Sequence, residues 1–432
     1  MMSGTSLDAI DVALVEFTRD RKQPATLQAR LLHVGEEPWP AATRDALRAV
    51  LPPAPAEVGA WSRLHAAVGD AFGAAAARAL AAHGGADLIA THGQTLFHEV
   101  EAGAVLSTLQ IGDASRLAAA TSTPVLHDLR SADVAAGGQG APLVPLLDQL
   151  LLGGDAHPRT AVLNIGGISN LSLVGSGGDG SGGDGRDADH RGADGGGDGA
   201  ASFAGGMRIA DEVVAGDLGP GNALLDAAIH AATGRPADID AALARTGTVD
   251  AAALSTLLAD PFYALPLPRS TGRERFDSRY VRRLLGQEAL AALSLPDLLA
   301  TLTELTAVTI AEAIAPRGVS RVVASGGGMR NPLLRQRLAA LLAPVPLIDA
   351  DDLGIPADGK EALLIALLGY LGAHGLPGTL ARGDGTAHTG ARTPVVLGSL
   401  TPPHALRALP GEPADTHAVE RLEIVSAGGE GT

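Results

Sequence analysis

Three short apolar segments in this chain each run straight into a turn that contains glycine. They are Asp87-Leu88-Ile89-Ala90 before Thr91-His92-Gly93-Gln94-Thr95, Ala161-Val162-Leu163-Asn164-Ile165 before Gly166-Gly167, and Arg321-Val322-Val323-Ala324 before Ser325-Gly326-Gly327-Gly328. Apolar runs of this length between turn signals read as buried strands. Helical patterns follow at 223–232, 301–315, 333–342 and 361–371. Strands that end in glycine turns and feed helices predict an α/β fold, which gathers its ligands beyond the carboxyl ends of its strands. The chain contains no Gly-x-x-x-x-Gly-Lys-Ser/Thr sequence, which excludes a P-loop nucleotide site.

Composition narrows the class further. At 432 residues the chain is long enough for two domains, each with its own core. A net charge of -16 argues against a non-specific nucleic-acid binder, which needs a basic face. The absence of cysteine removes disulfides, thiolate metal sites and cysteine nucleophiles. The start of the sequence has no basic region followed by an apolar one, and no uncharged apolar run reaches roughly 18 residues, so a cytoplasmic protein without a membrane span is expected. Gly175 to Gly199 is nearly all glycine, aspartate and other small or polar residues. With no apolar residue larger than alanine and no regular period, it reads as a solvated loop and not as a calcium-binding repeat. A mobile tail is expected after Pro402.

Two further turns carry candidate chemistry. Met2-Ser3-Gly4-Thr5-Ser6-Leu7-Asp8-Ala9-Ile10-Asp11 combines glycine, hydroxyls and two carboxylates before an apolar run, a composition that suits phosphate with a metal nearby. Such a turn normally follows a strand, and almost nothing precedes this one. Asp217-Leu218-Gly219-Pro220-Gly221-Asn222 precedes an apolar helical pattern. Taken alone, Asp217 reads first as a turn carboxylate bonding its own backbone. Held at the mouth of a cleft, it reads as a general base. The triple glycine at 326–328 is by itself a flexible turn; paired with a phosphate turn elsewhere, it gains a nucleotide-binding reading. His92 reads as a hydrogen-bonded structural residue.

The motifs MSGTSLDAID, THGQTLFH, LQIGD, AAGGQGAPLVP, LNIGGISN, DLGPGN, STGRERF, SGGGMRNP and TGAR, in that order, resemble the anhydro-N-acetylmuramic acid kinase family over roughly residues 2 to 400. The resemblance implies a two-lobed sugar kinase/Hsp70/actin-like (ribonuclease H-like) fold with an ATP cleft between the lobes. It divides the chain into a first lobe at 1–134, a second at 135–402 with the glycine/aspartate insert at 175–200, and a tail at 403–432. It further implies ATP-dependent opening of 1,6-anhydro-N-acetylmuramic acid by water, giving N-acetylmuramic acid 6-phosphate and ADP in peptidoglycan recycling, and a homodimer.

Residue by residue, the resemblance makes Asp217 the catalytic base. Gly4, Thr5, Ser6, Leu7, Asp8, Ala9, Ile10 and Asp11 match the ATP-phosphate segment, and Gly326, Gly327 and Gly328 match the nucleotide turn of the second lobe. Thr95 and Glu361 match sugar-contacting positions, although Glu361 at a helix start also suits the helix dipole alone. Mg²⁺ would bridge the phosphates, with Asp8 and Asp11 holding it through water. Ser131 and Ala132 stand where the family carries arginines, beside Arg130 and Asp133, which puts the preferred substrate in question. Ala9 replaces a glycine and would tighten the turn if that position needs positive φ. The family has a short strand before the phosphate turn, so either the natural protein begins upstream or the first sheet lacks an edge. Two other readings stay open: a catalytically weak relative acting as a binding or regulatory protein, and a kinase for another amino sugar.

Overall fold

The computed structural model describes residues 1–4, 7, 9–20, 22–51, 57–101, 104–153, 159–175, 215–267, 269, 271, 275–277, 279–355, 359–403 and 421–425. Thr5, Ser6, Asp8 and all of the glycine/aspartate run after Gly175 lie outside the described residues.

The first half of the chain supplies β1 (Ala9–Arg19), β2 (Thr26–Pro38), α1 (Ala41–Val50), α2 (Val58–His83), β3 (Ile89–Ala90), β4 (Gln94–Glu101), β5 (Ala104–Ile111), α3 (Ala114–Thr121), β6 (Val125–His127), α4 (Ser131–Ala135) and α5 (Val144–Leu152). Strands β1 and β2 are antiparallel neighbours, and β3 runs parallel to β6. Met1–Ser3 joins these two pairs into one sheet. Met2 exchanges backbone bonds with Asp11 on one side, at 3.1 and 2.8 Å. On the other side the Met1 ammonium donates to Ala90 O at 2.8 Å, His92 N donates to Met1 O at 3.1 Å, and Ser3 bridges Gln94 in parallel. Burial lowers the Met1 ammonium to a pKa of about 5, with Asp11 opposing. Met1–Ser3 thus lies at the centre of this sheet, between β3 and β1.

Alanine-rich α2 covers this sheet, as its high helix propensity allows. It approaches α3 closely: a Cβ at Gly69 would stand 2.7 Å from Asp113 O. Asp113 in turn caps α3 by accepting from Ser115 N and Arg116 N.

The second half contributes β7 (Thr160–Ile165), β8 (Ile168–Val174), β9 (Ala215–Pro220), α6 (Ala223–Thr233), α7 (Ala251–Leu258), α8 (Tyr280–Ala292), α9 (Leu295–Ile314), β10 (Arg321–Ser325), α10 (Pro332–Leu342), β11 (Leu347–Asp349), α11 (Lys360–Ala373), β12 (Ser399–Thr401) and β13 (Arg421–Val425). Its sheet has the order β11-β10-β7-β8-β9, with β10 parallel to β7 and to β11, and β7, β8 and β9 antiparallel in turn. The first sheet repeats this plan as β6-β3-(Met1–Ser3)-β1-β2. Each lobe therefore has a central strand with an antiparallel pair on one side and a parallel pair on the other. Among the described residues α9 is the one helix long and apolar enough to cross a membrane, but 72% of its apolar window is buried against the second lobe.

The last elements return to the first lobe. α11 packs on β1 and β3, β12 pairs antiparallel with β6, and β13 pairs parallel with β2. The expected boundary at 402 thus falls within elements that join the first sheet, and 421–425 is a strand within the expected mobile tail. The reason is non-local: Leu422 enters the core beside Leu27 and Ala29, so its burial depends on a sheet edge almost four hundred residues away.

Candidate active site

The glycine turns of the second lobe meet at the carboxyl end of β7. Gly221 N and Ala223 N donate to Gly167 O at 2.8 and 3.1 Å, and Asn222 N donates to Gly166 O at 2.8 Å. A Cβ at Gly328 would stand 2.3 Å from Ile165 Cγ2, and at Gly326, where φ is +90°, one would stand 2.6 Å from Asn164 Oδ1. Gly326 and Gly328 therefore pack against Asn164 and Ile165 with no room for a side chain. Gly327 differs, since its nearest neighbour would be Asn222 Nδ2 at 3.5 Å. That open side suits a ligand. Past the turn, Asn331 caps α10 by accepting from Leu333 N and Leu334 N, at 3.1 and 3.0 Å.

Asp217 lies on β9 opposite Asn170, where the β8–β9 register shifts between Ser169 and Asn170. Such a bulge re-aims the side chains beside it. Thr271 N donates to Asp217 Oδ2 at 2.7 Å, and Asp217 N donates to Arg269 O at 2.8 Å. Arg269 staples the incoming segment to this strand. Its Nε donates to Asp217 O and its Nη2 to Leu218 O, at 2.9 and 3.0 Å. Its Nη1 reaches the carbonyls of Phe262, Tyr263 and Leu265, and the guanidinium lies 4.7 Å over the Phe262 ring. The half-buried Asp217 carboxylate is thus oriented from a rigid strand and not from its own turn.

In the first lobe the Gly4–Leu7 turn is tied to the THGQT loop. Gln94, fully buried, donates through Nε2 to Gly4 O at 3.4 Å and to Thr95 O at 3.2 Å. Leu7 N closes the turn on Gly4 O at 3.2 Å, and Leu7 sits at φ +56°, a left-handed conformation rare for a branched side chain. Strain of this kind concentrates where backbone is shaped for a ligand. Ala9, Ile10 and Asp11 are in extended β1, so the alanine at position 9 meets no positive φ.

Glu361 is the second residue of α11 and is coupled electrostatically to Arg130, which precedes α4. Its side chain is accessible to solvent although protein atoms surround it closely. Burial raises its pKa, while Lys360 and Arg130 oppose the rise. Burial lowers the Arg130 guanidinium to about 10, with Glu361 opposing, and its buried Nε makes no hydrogen bond. His92 is brought down to about 3, first by burial and then by Arg130. Its Nδ1 lies 3.4 Å from Gly93 O, and its Nε2 is buried without a partner. A cavity of about 190 Å³ lined by His65, His92, Gly112 and Asp128 lies beside this loop, but Thr95, Asp217, Glu361 and the triple glycine do not line it.

Asp133 is a scaffold. Fully buried, it accepts from Gly140 N at 2.7 Å and from Thr389 Oγ1 at 2.6 Å, binding the AAGGQGAP run to the TGAR turn. The predicted residues fall into two groups: Asp217 with Gly326–Gly328 around the second sheet, and Gly4, Thr95 and Glu361 around the first. Helix α5 joins them, packing on β8, β13 and α11. Sequence reasoning missed Arg269 and Lys360. The signal for Lys360 was its rarity, since only Lys22 and Lys360 occur in an arginine-rich chain.

A duplicated sheet with a glycine turn at the carboxyl end of each central strand is the architecture of the two-lobed sugar kinase, Hsp70 and actin superfamily, which holds ATP between its lobes. The chain belongs to the anhydro-N-acetylmuramic acid kinase family, whose profile matches residues 1–188 and 205–403. It is 43% identical over 420 residues to the anhydro-N-acetylmuramic acid kinase of Streptomyces coelicolor, covering 96% of this chain and 95% of that one. It is 42% identical over 406 residues to that of Rhodococcus erythropolis, covering 93% of each. A glucokinase of the ROK family from Streptomyces griseus, solved with glucose and AMPPNP, is 12% identical with a TM-score of 0.30, covering 82% of this chain and 96% of that one. At that level the likeness adds nothing to the strand order described above.

Proposed function

We propose that this chain uses ATP and water to convert 1,6-anhydro-N-acetylmuramic acid to N-acetylmuramic acid 6-phosphate and ADP, in the cytoplasm and as a homodimer. The observation that supports this most is Asp217, held by Arg269 and the Thr271 N–H on a bulged strand that ends in the Gly219–Asn222 turn. In the anhydro sugar O6 is locked in a bridge to C1. Asp217 accepts a proton as water adds to C1, and the C1–O6 bond breaks as that addition proceeds. O6 takes the γ-phosphoryl group and ADP leaves, so each bond broken is matched by one formed.

Gly4 to Asp11 and Gly326 to Gly328 hold the phosphates and the adenosine, and Thr95 and Glu361 orient the sugar. Arg130, with its buried and unpaired Nε, supplies positive charge for the substrate's lactyl carboxylate. That duty falls to it because Ser131 and Ala132 carry no charge, and the Ser131 Oγ donates to Asp128 Oδ1 at 2.6 Å. Among the described residues no cluster of three metal-ligating side chains occurs. One or two carboxylates beside phosphates suit Mg²⁺, which takes most of its shell from water and phosphate oxygens. Asp11, with Asp8, would hold it, and it would neutralise phosphate charge.

The test is turnover in ¹⁸O-water with ATP and the anhydro sugar. Label at C1 of a 6-phosphate product is expected. Phosphorylation of simple hexosamines with no anhydro-sugar product would favour a different amino-sugar kinase, and ATP binding without any turnover would favour a binding or regulatory protein.

A further inference from the structure

Buried inside the interface between α5 and α11 is an ion pair that the reaction does not use. Lys360 Nζ lies 2.6 Å from Asp148 Oδ1, and the two side chains are 9% and 2% exposed. Around it the interface is apolar, with Leu146, Leu147 and Leu150 on α5 and Leu363, Leu364 and Leu367 on α11, all at 1% exposure or less except Leu364. Replacing such a pair by apolar side chains often costs nothing, so net stabilisation does not explain it. Lys360 is also the first residue of α11, where the helix dipole disfavours a cation, and Gly359 offers no side-chain cap. A lysine placed against both tendencies points to a positional role.

We propose that the Lys360–Asp148 pair is a positioning device for Glu361, fixing the start of α11 against α5 and setting a cation one residue from the sugar-facing carboxylate. The proposal rests on the assignment of Glu361 as a sugar contact. Its geometry reaches both lobes: α11 lies on β1 and β3, while α5 lies on β8, the strand that pairs with Asp217. Among the described residues the other charges around Glu361 are few. From the connection after β6 comes Arg130, and from α5 comes Asp148 itself. β1 runs alongside α11, with Arg19 Nε bonded to Tyr370 at 3.2 Å at the far end, so Asp11 is its charge toward the helix start. β3 brings no titratable group, and β6 brings His127. Lys360 and Arg130 are the two cations that oppose the rise that burial imposes on the Glu361 carboxyl.

The pair makes a prediction that a purely structural bridge does not. In Lys360→Met the cation beside Glu361 is gone, and the acid limb of the kcat/KM profile for the anhydro sugar should move up by about half a unit to one unit. In Asp148→Asn the lysine loses its partner, and the limb should move down by a similar amount. Lys360→Arg should restore the wild-type limb. If Lys360→Met does not fold, the double variant Lys360→Met/Asp148→Leu, apolar across the interface, should still move the limb upward. Shifts of opposite sign support the proposal. Lowered thermal stability with an unmoved limb, or shifts of one sign in both single variants, would overturn it. Glu361→Gln separates the two layers, because wild-type turnover in that variant would refute the role of Glu361 itself.

Discussion

The two lobes are built on one strand order but hold their central strands very differently. In the second lobe β7 is six residues long and pairs along its length, with β10 through Thr160 to Asn164 and with β8 through Thr160 to Ile165. In the first lobe the same place is taken by Met1–Ser3, which makes isolated bridges to Asp11 and Gln94 and bonds to Ala90 O. The turn after β7 is consequently backed by a full ladder. The turn after Ser3 depends on Gln94 and on a left-handed Leu7.

The largest expected effect tests the well-paired side. Asp217→Asn should lower kcat by about 10³-fold while ATP affinity, measured by calorimetry, stays near wild type. Near-normal turnover would remove Asp217 as base. The central strands should then differ in what one deletion costs. Leu163→Ala, in a fully buried ladder position, is expected to lose about 2–5 kcal/mol in urea unfolding. Ser3→Ala leaves the Trp39 Nε1–H, now bonded to Ser3 Oγ at 3.1 Å, without an acceptor, and should lose about 1–3 kcal/mol. A Ser3 variant as costly as Leu163→Ala would erase the contrast between the lobes.

Within the triple-glycine turn the contrast is between neighbours. Gly328→Ala drives a Cβ to within 2.3 Å of Ile165 Cγ2 and should cost about 1–3 kcal/mol of stability. Gly327→Ala meets nothing closer than 3.5 Å and should leave stability within about 0.5 kcal/mol, so a raised KM for ATP there would report on the ligand directly. The smallest effect is in acid. Burial holds His92 at about 3 and His388 at about 4, both below the ordinary 6.5. His388 is fixed as neutral, its Nδ1 accepting from Leu380 N at 3.0 Å and its Nε2 donating to Pro142 O at 2.9 Å. Below about pH 6.5 the unfolded chain binds protons that the folded chain refuses, so stability falls as pH drops from there toward 4 and 3. The urea midpoint should be lower at about pH 5 than at about pH 7, and His388→Gln should shrink that difference.

Much of the second lobe was legible in the sequence because its signals are local. Strands ending at Ile165 and Ala324, the glycines after them and the helix after Asn331 all follow from neighbouring residues. The first lobe was harder, since α11, β12 and β13 join a sheet begun more than three hundred residues earlier. The site divides in the same way. Glycine turns mark themselves, but Arg269 spends its donors on backbone carbonyls, which no side-chain pattern predicts. The difference between Gly327 and Gly328 exists only once Ile165 stands beside them. Lys360 and Asp148 form a pair only because α5 and α11 pack together.

The most direct test is a structure of the chain with a non-hydrolysable ATP analogue and 1,6-anhydro-N-acetylmuramic acid. Phosphates between the Gly4–Asp11 turn and Gly326–Gly328, with a water on C1 hydrogen-bonded to Asp217 and the sugar touching Thr95 and Glu361, are the predicted result. A sugar bound away from Asp217, or phosphates that touch neither turn, would contradict it.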